Sequence, residues 1–265
     1  MWDRTLLVFS SDNGGFVEAG SGPCNCSTRG PPFVFDGDVG RGTACFNGEM
    51  GASNYPLRGG KYSPFEGGIR SVAFAAGGVV PAKARGTRIA SEMIHIADWY
   101  ATLCYLAGAD PRDDDVEGVP PVDSVNVWHL IAGDNATSPR RAVLVNTTVY
   151  IAGPWKYISP HAALHADALA GPVYPNRSSV ANPLASHTGY CGARGCLFHV
   201  VDDPSETRDR VDDVDASFLA ALRADMAAEV ATIYDVDHST DPACLDAAWH
   251  RYGGFYGPWR NLSTP

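Results

Sequence analysis

The sequence predicts an α/β chain in two parts: strands of the parallel-sheet kind first, then a small antiparallel α+β unit after residue 140. Three observations carry this. The run Thr5-Leu-Leu-Val-Phe-Ser10 is short and continuously apolar, as strands covered on both faces are. Ala142–Thr147, Val149–Ile158 and Cys196–Val201 read as strands, the second interrupted by Gly153-Pro154. Ala216–Ile233 is the clearest helix, with Leu219, Leu222, Met226, Val230 and Ile233 on one face to cover such a sheet.

Taken in order, Leu6–Phe9 is the first buried strand candidate and Ser71–Ala75, ending at Gly77-Gly78, the second. Between them, residues 14–60 hold Gly, Pro, Asn and Cys without periodicity and read as a long excursion, functional or stapled. Asp98 is placed to cap a helix whose stripe is Tyr100, Leu103, Cys104 and Ala107, with Gly108 as its stop. Cys104 is expected as a buried thiol on that stripe. Pro111–Pro139 is charged and punctuated by Pro and Gly, which suggests a linker or surface crossing. No internal repeat is visible.

The 265 residues carry a net charge of −10, with 45% hydrophobic and 19% charged residues. That composition suits a packed core and argues against disorder. It also argues against nucleic acid as a partner, which needs a basic surface. The acidic clusters at 110–117 and 202–215 read as solvated loops. No run of about 20 apolar residues is present to span a membrane.

Five sequons, at Asn25, Asn135, Asn146, Asn176 and Asn261, point to N-glycosylation and the secretory pathway. Seven cysteines fit the same oxidising setting. Their spacings do not supply the matched pairs of a zinc site, so disulfides are the expectation, with Cys191 and Cys196 flanking Gly-Ala-Arg-Gly. A secreted glycoprotein needs an entry signal, yet Met1-Trp-Asp-Arg leads straight into a strand. The expectation is that the natural N-terminus lies upstream and Met1 is internal.

Asp12 and Asn13 stand where ligands of open α/β sheets gather, beyond the carboxyl end of a strand. Their oxygens suit calcium or magnesium; the competing reading is a plain Asp-Asn-Gly turn. Lys61 follows two glycines in Leu57-Arg-Gly-Gly-Lys61 without P-loop spacing. It is either an ammonium that holds an oxyanion or part of a surface turn. Glu66 and Arg70 either orient it or form a surface ion pair. His95, between apolar neighbours, reads as a core histidine. His161, His165 and His187 share no spacing with carboxylates or cysteines, and no GxSxG nucleophile motif occurs.

Five segments in order, "TLLVFSSDNGG", "NYPLRGGKYSPFEGGIR", "IHIADWYATL", "CLFHVVDDPSETRDR" and "DPACLDAAWHRYGGFYGPW", together resemble the sulfatase family, and within it the arylsulfatase B-like (N-acetylgalactosamine-4-sulfatase-like) branch. The resemblance covers most of the chain, with residues 21–48 as an insertion. It implies the C-terminal part of an alkaline-phosphatase-like α/β core (residues 1–110), the crossing at 111–139, and a C-terminal antiparallel α+β subdomain (140–265). It implies removal of sulfate from a sulfated carbohydrate or aryl sulfate in the lysosome or outside the cell. It also implies a formylglycine hydrate nucleophile and one calcium ion. On this template Asp12 and Asn13 are two of the calcium ligands, Lys61 contacts the sulfate and the leaving oxygen, and Cys244 pairs far upstream.

The departures are as specific. The Cys/Ser-x-Pro-x-Arg motif that yields formylglycine occurs nowhere in these residues, nor do the family's paired N-terminal aspartates. In the helix written "DWxPTL" in the family, Ala101 precedes Thr102. The expectation is the C-terminal half of a sulfatase, inactive alone. The alternatives are a noncatalytic sulfatase-like glycoprotein with a scaffold or binding role, and a metal-dependent phosphodiesterase of the same superfamily.

Overall fold

The computed structural model describes residues 1–15, 54–61, 63–112, 121–160, 162, 191–233, 250–253 and 255. Cys24, Cys26, Cys45, Cys244, His161, His165, His187, Asn25, Asn176 and Asn261 lie outside the described residues. Met1–Val230 form one compact unit and Ala231–Pro265 a second.

The first strand is β1 (Leu7–Ser10), followed by the short helix α1 (Glu66–Ile69) and strand β2 (Ala73–Ala76). β1 and β2 pair antiparallel, with Leu7 opposite Ala76 and Ser10 opposite Ala73. This corrects the expectation of strands buried on both faces of a parallel sheet. Leu7, Phe9 and Phe74 are about half exposed, and Phe9 and Phe74 stack across the pair at 5.2 Å. Four-residue strands carry too few side chains for periodicity to fix direction or burial.

Helix α2 (Asp98–Ala107) ends where expected, at Gly108 with φ 70° in the left-handed region. Its buried face is Asp98, Ala101 and Thr102, whereas Tyr100 and Leu103 of the expected stripe face outward and Cys104 is a half-buried free thiol. Asp98 explains the rotation. Its carboxylate accepts the amide protons of His95 and Val125 and a forked pair from Arg140, so it must face inward. The crossing segment answers this face. Ser124 accepts from the Ala101 amide, Thr102 accepts from the Val127 amide, and the helical turn α3 (Trp128–Ile131) buries Trp128 and Leu130.

The later strands are β3 (Ala142–Asn146), β4 (Val149–Ala152), β5 (Trp155–Ile158) and β6 (Cys196–His199), followed by helix α4 (Ala216–Val230). They form the expected antiparallel sheet, in order β3-β4-β5-β6. Strand alternation gives that sheet two apolar faces. Tyr150, Tyr157 and Leu197 meet Leu219, Leu222 and Met226 of α4. Burying each aliphatic side chain here contributes about 1.5–3 kcal/mol. Ile233, expected on the same helix face, lies beyond α4 and is exposed. On the other face Val149, Ile158 and Phe198 pack on Phe65, just before α1. The Cys191–Cys196 disulfide forms as expected and borders this second cluster.

Candidate active site

Backbone contacts bring the end of β1 and the Lys61 loop together. Ser11 donates its amide proton to Val72, and Gly14 donates to Gly68 at 2.8 Å. The Lys61 amide donates to the Gly15 carbonyl at 3.0 Å. Asn54 ties the same two segments, accepting from the Gly15 amide and donating to the carbonyls of Gly15 and Gly59. Side chains would not fit between these chains. A Cβ at Gly14 would lie 1.7 Å from the Gly67 carbonyl oxygen, and one at Gly67 would lie 2.3 Å from that of Gly59. Gly14→Ala is therefore expected to lower stability by at least about 2 kcal/mol, as overpacking against backbone does. An unchanged urea midpoint would show that β1 does not end against α1.

Behind this loop lies a buried charge cluster. Lys156 pairs with Glu66 at 3.1 Å and with Glu206 at 2.6 Å, and Lys156 and Glu206 have no exposed surface. β5 aims the lysine there: Lys156 shares its sheet face with Ile158 and its cross-strand partner Phe198, the face that covers Phe65. Oε2 of Glu206 accepts the Glu66 amide proton at 2.6 Å. Burial pushes the Glu206 carboxyl up to about 7; the Lys156 ammonium works against this and the Glu66 carboxylate with it. Arg58 lies over the Phe65 ring at 3.8 Å and donates to the Glu206 carbonyl.

No family model matches the chain. Among curated proteins it is 31% identical over 145 residues to mouse arylsulfatase J, covering 55% of this chain and 18% of that protein. It is 30% identical over 164 residues to an N-acetylgalactosamine-6-O-sulfatase of Bacteroides thetaiotaomicron, covering 61% of this chain and 27% of that protein. Among solved structures, a Bacteroides thetaiotaomicron 6S-sulfatase from a glycosaminoglycan-metabolism locus superimposes with a TM-score of 0.55 at 19% identity. It is covered over 39% of its length by 87% of this chain. The PsFucS1 sulfatase from Pseudoalteromonas gives 0.53 at 19% identity, with coverage of 38% and 87%. The fold is a sulfatase fold. Its curated homologues are sulfatases, and the chain spans roughly a fifth to a quarter of their length.

Within this sulfatase fold Asp12 is exposed, and Asn13 and Lys61 are half-buried. Asp12 Oδ1 accepts the Asn13 amide proton, and Asn13 Nδ2 donates to the Gly14 carbonyl, leaving its side-chain oxygen as an acceptor. A carboxylate and a carboxamide oxygen fit a hard cation in type. Calcium takes six to eight oxygens, so this pair supplies two. Among the described residues no three His, Cys, Asp or Glu side chains converge. His95 is half-buried and satisfied locally, its Nδ1 accepting from the Ala97 amide. Glu66 is a buried partner of Lys156, with Arg70 3.8 Å away.

Sequence reasoning missed Asn54, Arg58, Lys156 and Glu206 in this sulfatase fold. Lys156 had a signal, a single cation inside the run Val149–Ile158 that otherwise reads as core. Glu206 had none, because it sits in the acidic stretch 202–215 among exposed neighbours such as Asp202 and Asp212.

Proposed function

We propose that these residues form part of the active site of a sulfuric ester hydrolase acting on a sulfated sugar or aryl sulfate. The observation that carries this reading is the Lys61–Gly15 backbone bond, braced by Asn54. It sets a lysine beside a strand end that presents two oxygen donors. Asp12 and Asn13 hold one calcium ion, with the remaining ligands supplied by residues upstream. Calcium would supply positive charge to the bound sulfate, and formylglycine, formed from an upstream Cys/Ser-x-Pro-x-Arg, would supply the nucleophile. Lys61 donates to a sulfate oxygen and steadies the charge that develops on the departing oxygen.

The arylsulfatase B-like branch is the subtype favoured by the sequence motifs, and the half-exposed β1–β2 pair supports a fold completed by upstream residues. The sequons at Asn25, Asn135, Asn146, Asn176 and Asn261 carry N-glycans in a lysosomal or extracellular protein. Asn135 and Asn146 are exposed, and the Thr148 hydroxyl and amide both donate to Asn146 Oδ1 in the β3–β4 turn. Among the described residues no helix is long and apolar enough to cross a membrane.

The test extends the reading frame upstream and assays both forms against aryl sulfate and aryl phosphate. The expected result is calcium-dependent sulfate release by the longer form and none by the 265-residue chain. Zinc-dependent phosphate release without sulfate release would assign the phosphodiesterase alternative. Sulfate release by the shorter chain would refute the divided site.

A further inference from the structure

One buried residue, Glu206, meets both ends of the loop that carries Lys61, one through its backbone carbonyl and the other through its carboxylate. Arg58 opens that loop and donates Nη1–H to the backbone carbonyl of Glu206 at 3.1 Å. Glu66 closes it and donates its amide proton to Glu206 Oε2 at 2.6 Å. Oε1 of Glu206 lies 2.6 Å from the Lys156 ammonium. Nearby, Ser205 donates its hydroxyl proton to the Pro56 carbonyl, seating the same turn against the approach to the loop.

Two further features set Glu206 apart from a glue residue. Its φ is 51°, in the left-handed region that non-glycine residues avoid and that persists where the surroundings fix it. Apolar contact between the loop and the sheet is already provided by Phe65 against Ile158 and Phe198. Burying ions beside it adds little net stability, because desolvation offsets the attraction, but it does fix geometry. The arrangement therefore fixes where the loop sits, and with it the Lys61 backbone, whose amide meets the Gly15 carbonyl.

We infer that Glu206 is a positioning residue for Lys61, clamping both ends of residues 58–66 onto the C-terminal sheet. The inference rests on the sulfate-binding role proposed for Lys61, and its first test does not. Glu206→Asp keeps the charge and tolerates positive φ, but it withdraws the acceptor from the Glu66 amide by one methylene. Glu206→Gln keeps the reach and an acceptor oxygen for the Glu66 amide. It turns an NH2 towards the Lys156 ammonium, so it loosens the charge contact and spares the clamp. In the chain, Glu206→Asp is expected to speed amide exchange at Lys61, Ser63 and Gly67 by about tenfold or more, with α4 unchanged. Glu206→Gln is expected to keep the wild-type ratio between exchange at these three amides and exchange in α4. Unchanged rates in the Asp variant would overturn the clamp. So would equal acceleration in α4, or the same selective acceleration in the Gln variant.

The second arm uses the sulfate-releasing form. There Glu206→Asp is expected to lower kcat about tenfold and to add nothing in a Lys61→Ala background, as for residues that act as a unit. Full additivity of the two losses would overturn the positioning role. A Lys61→Ala variant with unchanged kcat would instead overturn the sulfate role of Lys61, leaving the exchange result to judge the clamp.

Discussion

Lys156→Met is expected to destabilise the chain by about 3–5 kcal/mol, the scale for removing one partner of a buried ion pair. The lysine sits with no exposed surface between Glu66 and Glu206. Methionine fills similar volume, so the loss comes from leaving the Glu66 and Glu206 carboxyl groups facing each other, at least one of them ionised or holding a proton at a cost, with no cation between them. The deficit should depend on pH, and its sign follows from Glu206. Its carboxyl is raised from 4.5 to about 7, first by burial, with Lys156 opposing the rise. Deleting the ammonium raises it further. The folded variant then keeps a proton that the unfolded chain releases above 4.5, so stability falls as pH rises through that interval. Urea unfolding of both forms at pH 5 and pH 8 should show the larger deficit at pH 8. A loss below about 1 kcal/mol, or one equal at both pH values, would show that the cluster is not held by charge.

The C-terminal sheet was legible because its evidence is local. Val149–Ile158 is long enough for a turn at Gly153-Pro154 to split two strands, and α4 shows its apolar face over four turns. The disulfide was legible from a short spacing. The β1–β2 pair was not, because Leu7–Ser10 and Ala73–Ala76 each offer only four residues. The face of α2 was misread for a different reason. Apolar counting favoured Tyr100 and Leu103, whereas Asp98 commits its carboxylate to two backbone amides and Arg140, and those bonds decide the rotation. A similar blindness hid the cluster behind the site. Lys156 and Glu206 are 50 residues apart and Glu66 lies 90 residues before the lysine, so only folding makes them neighbours. Lys61, Asp12 and Asn13 stood out because glycine and strand-end context mark them locally.

Lys61→Ala, placed in the sulfate-releasing form, is expected to lower kcat by about 10²–10³-fold, the effect of removing one preorganised donor from developing charge. Alanine leaves the backbone amide in place, so the bond to the Gly15 carbonyl and the Asn54 bridge survive. The loss is therefore assigned to the ammonium and not to a displaced loop. Because the charge on the departing oxygen grows towards the transition state, kcat should fall more than KM rises. A Lys61→Arg variant separates charge from shape: it retains the cation on a planar group that cannot place a single donor as an ammonium does, and partial activity is expected. Aryl sulfates with better leaving groups should be less sensitive to the alanine change, since less charge then needs stabilising. Equal loss across leaving groups would confine Lys61 to binding the sulfate oxygens, and an unchanged kcat would remove it from the site.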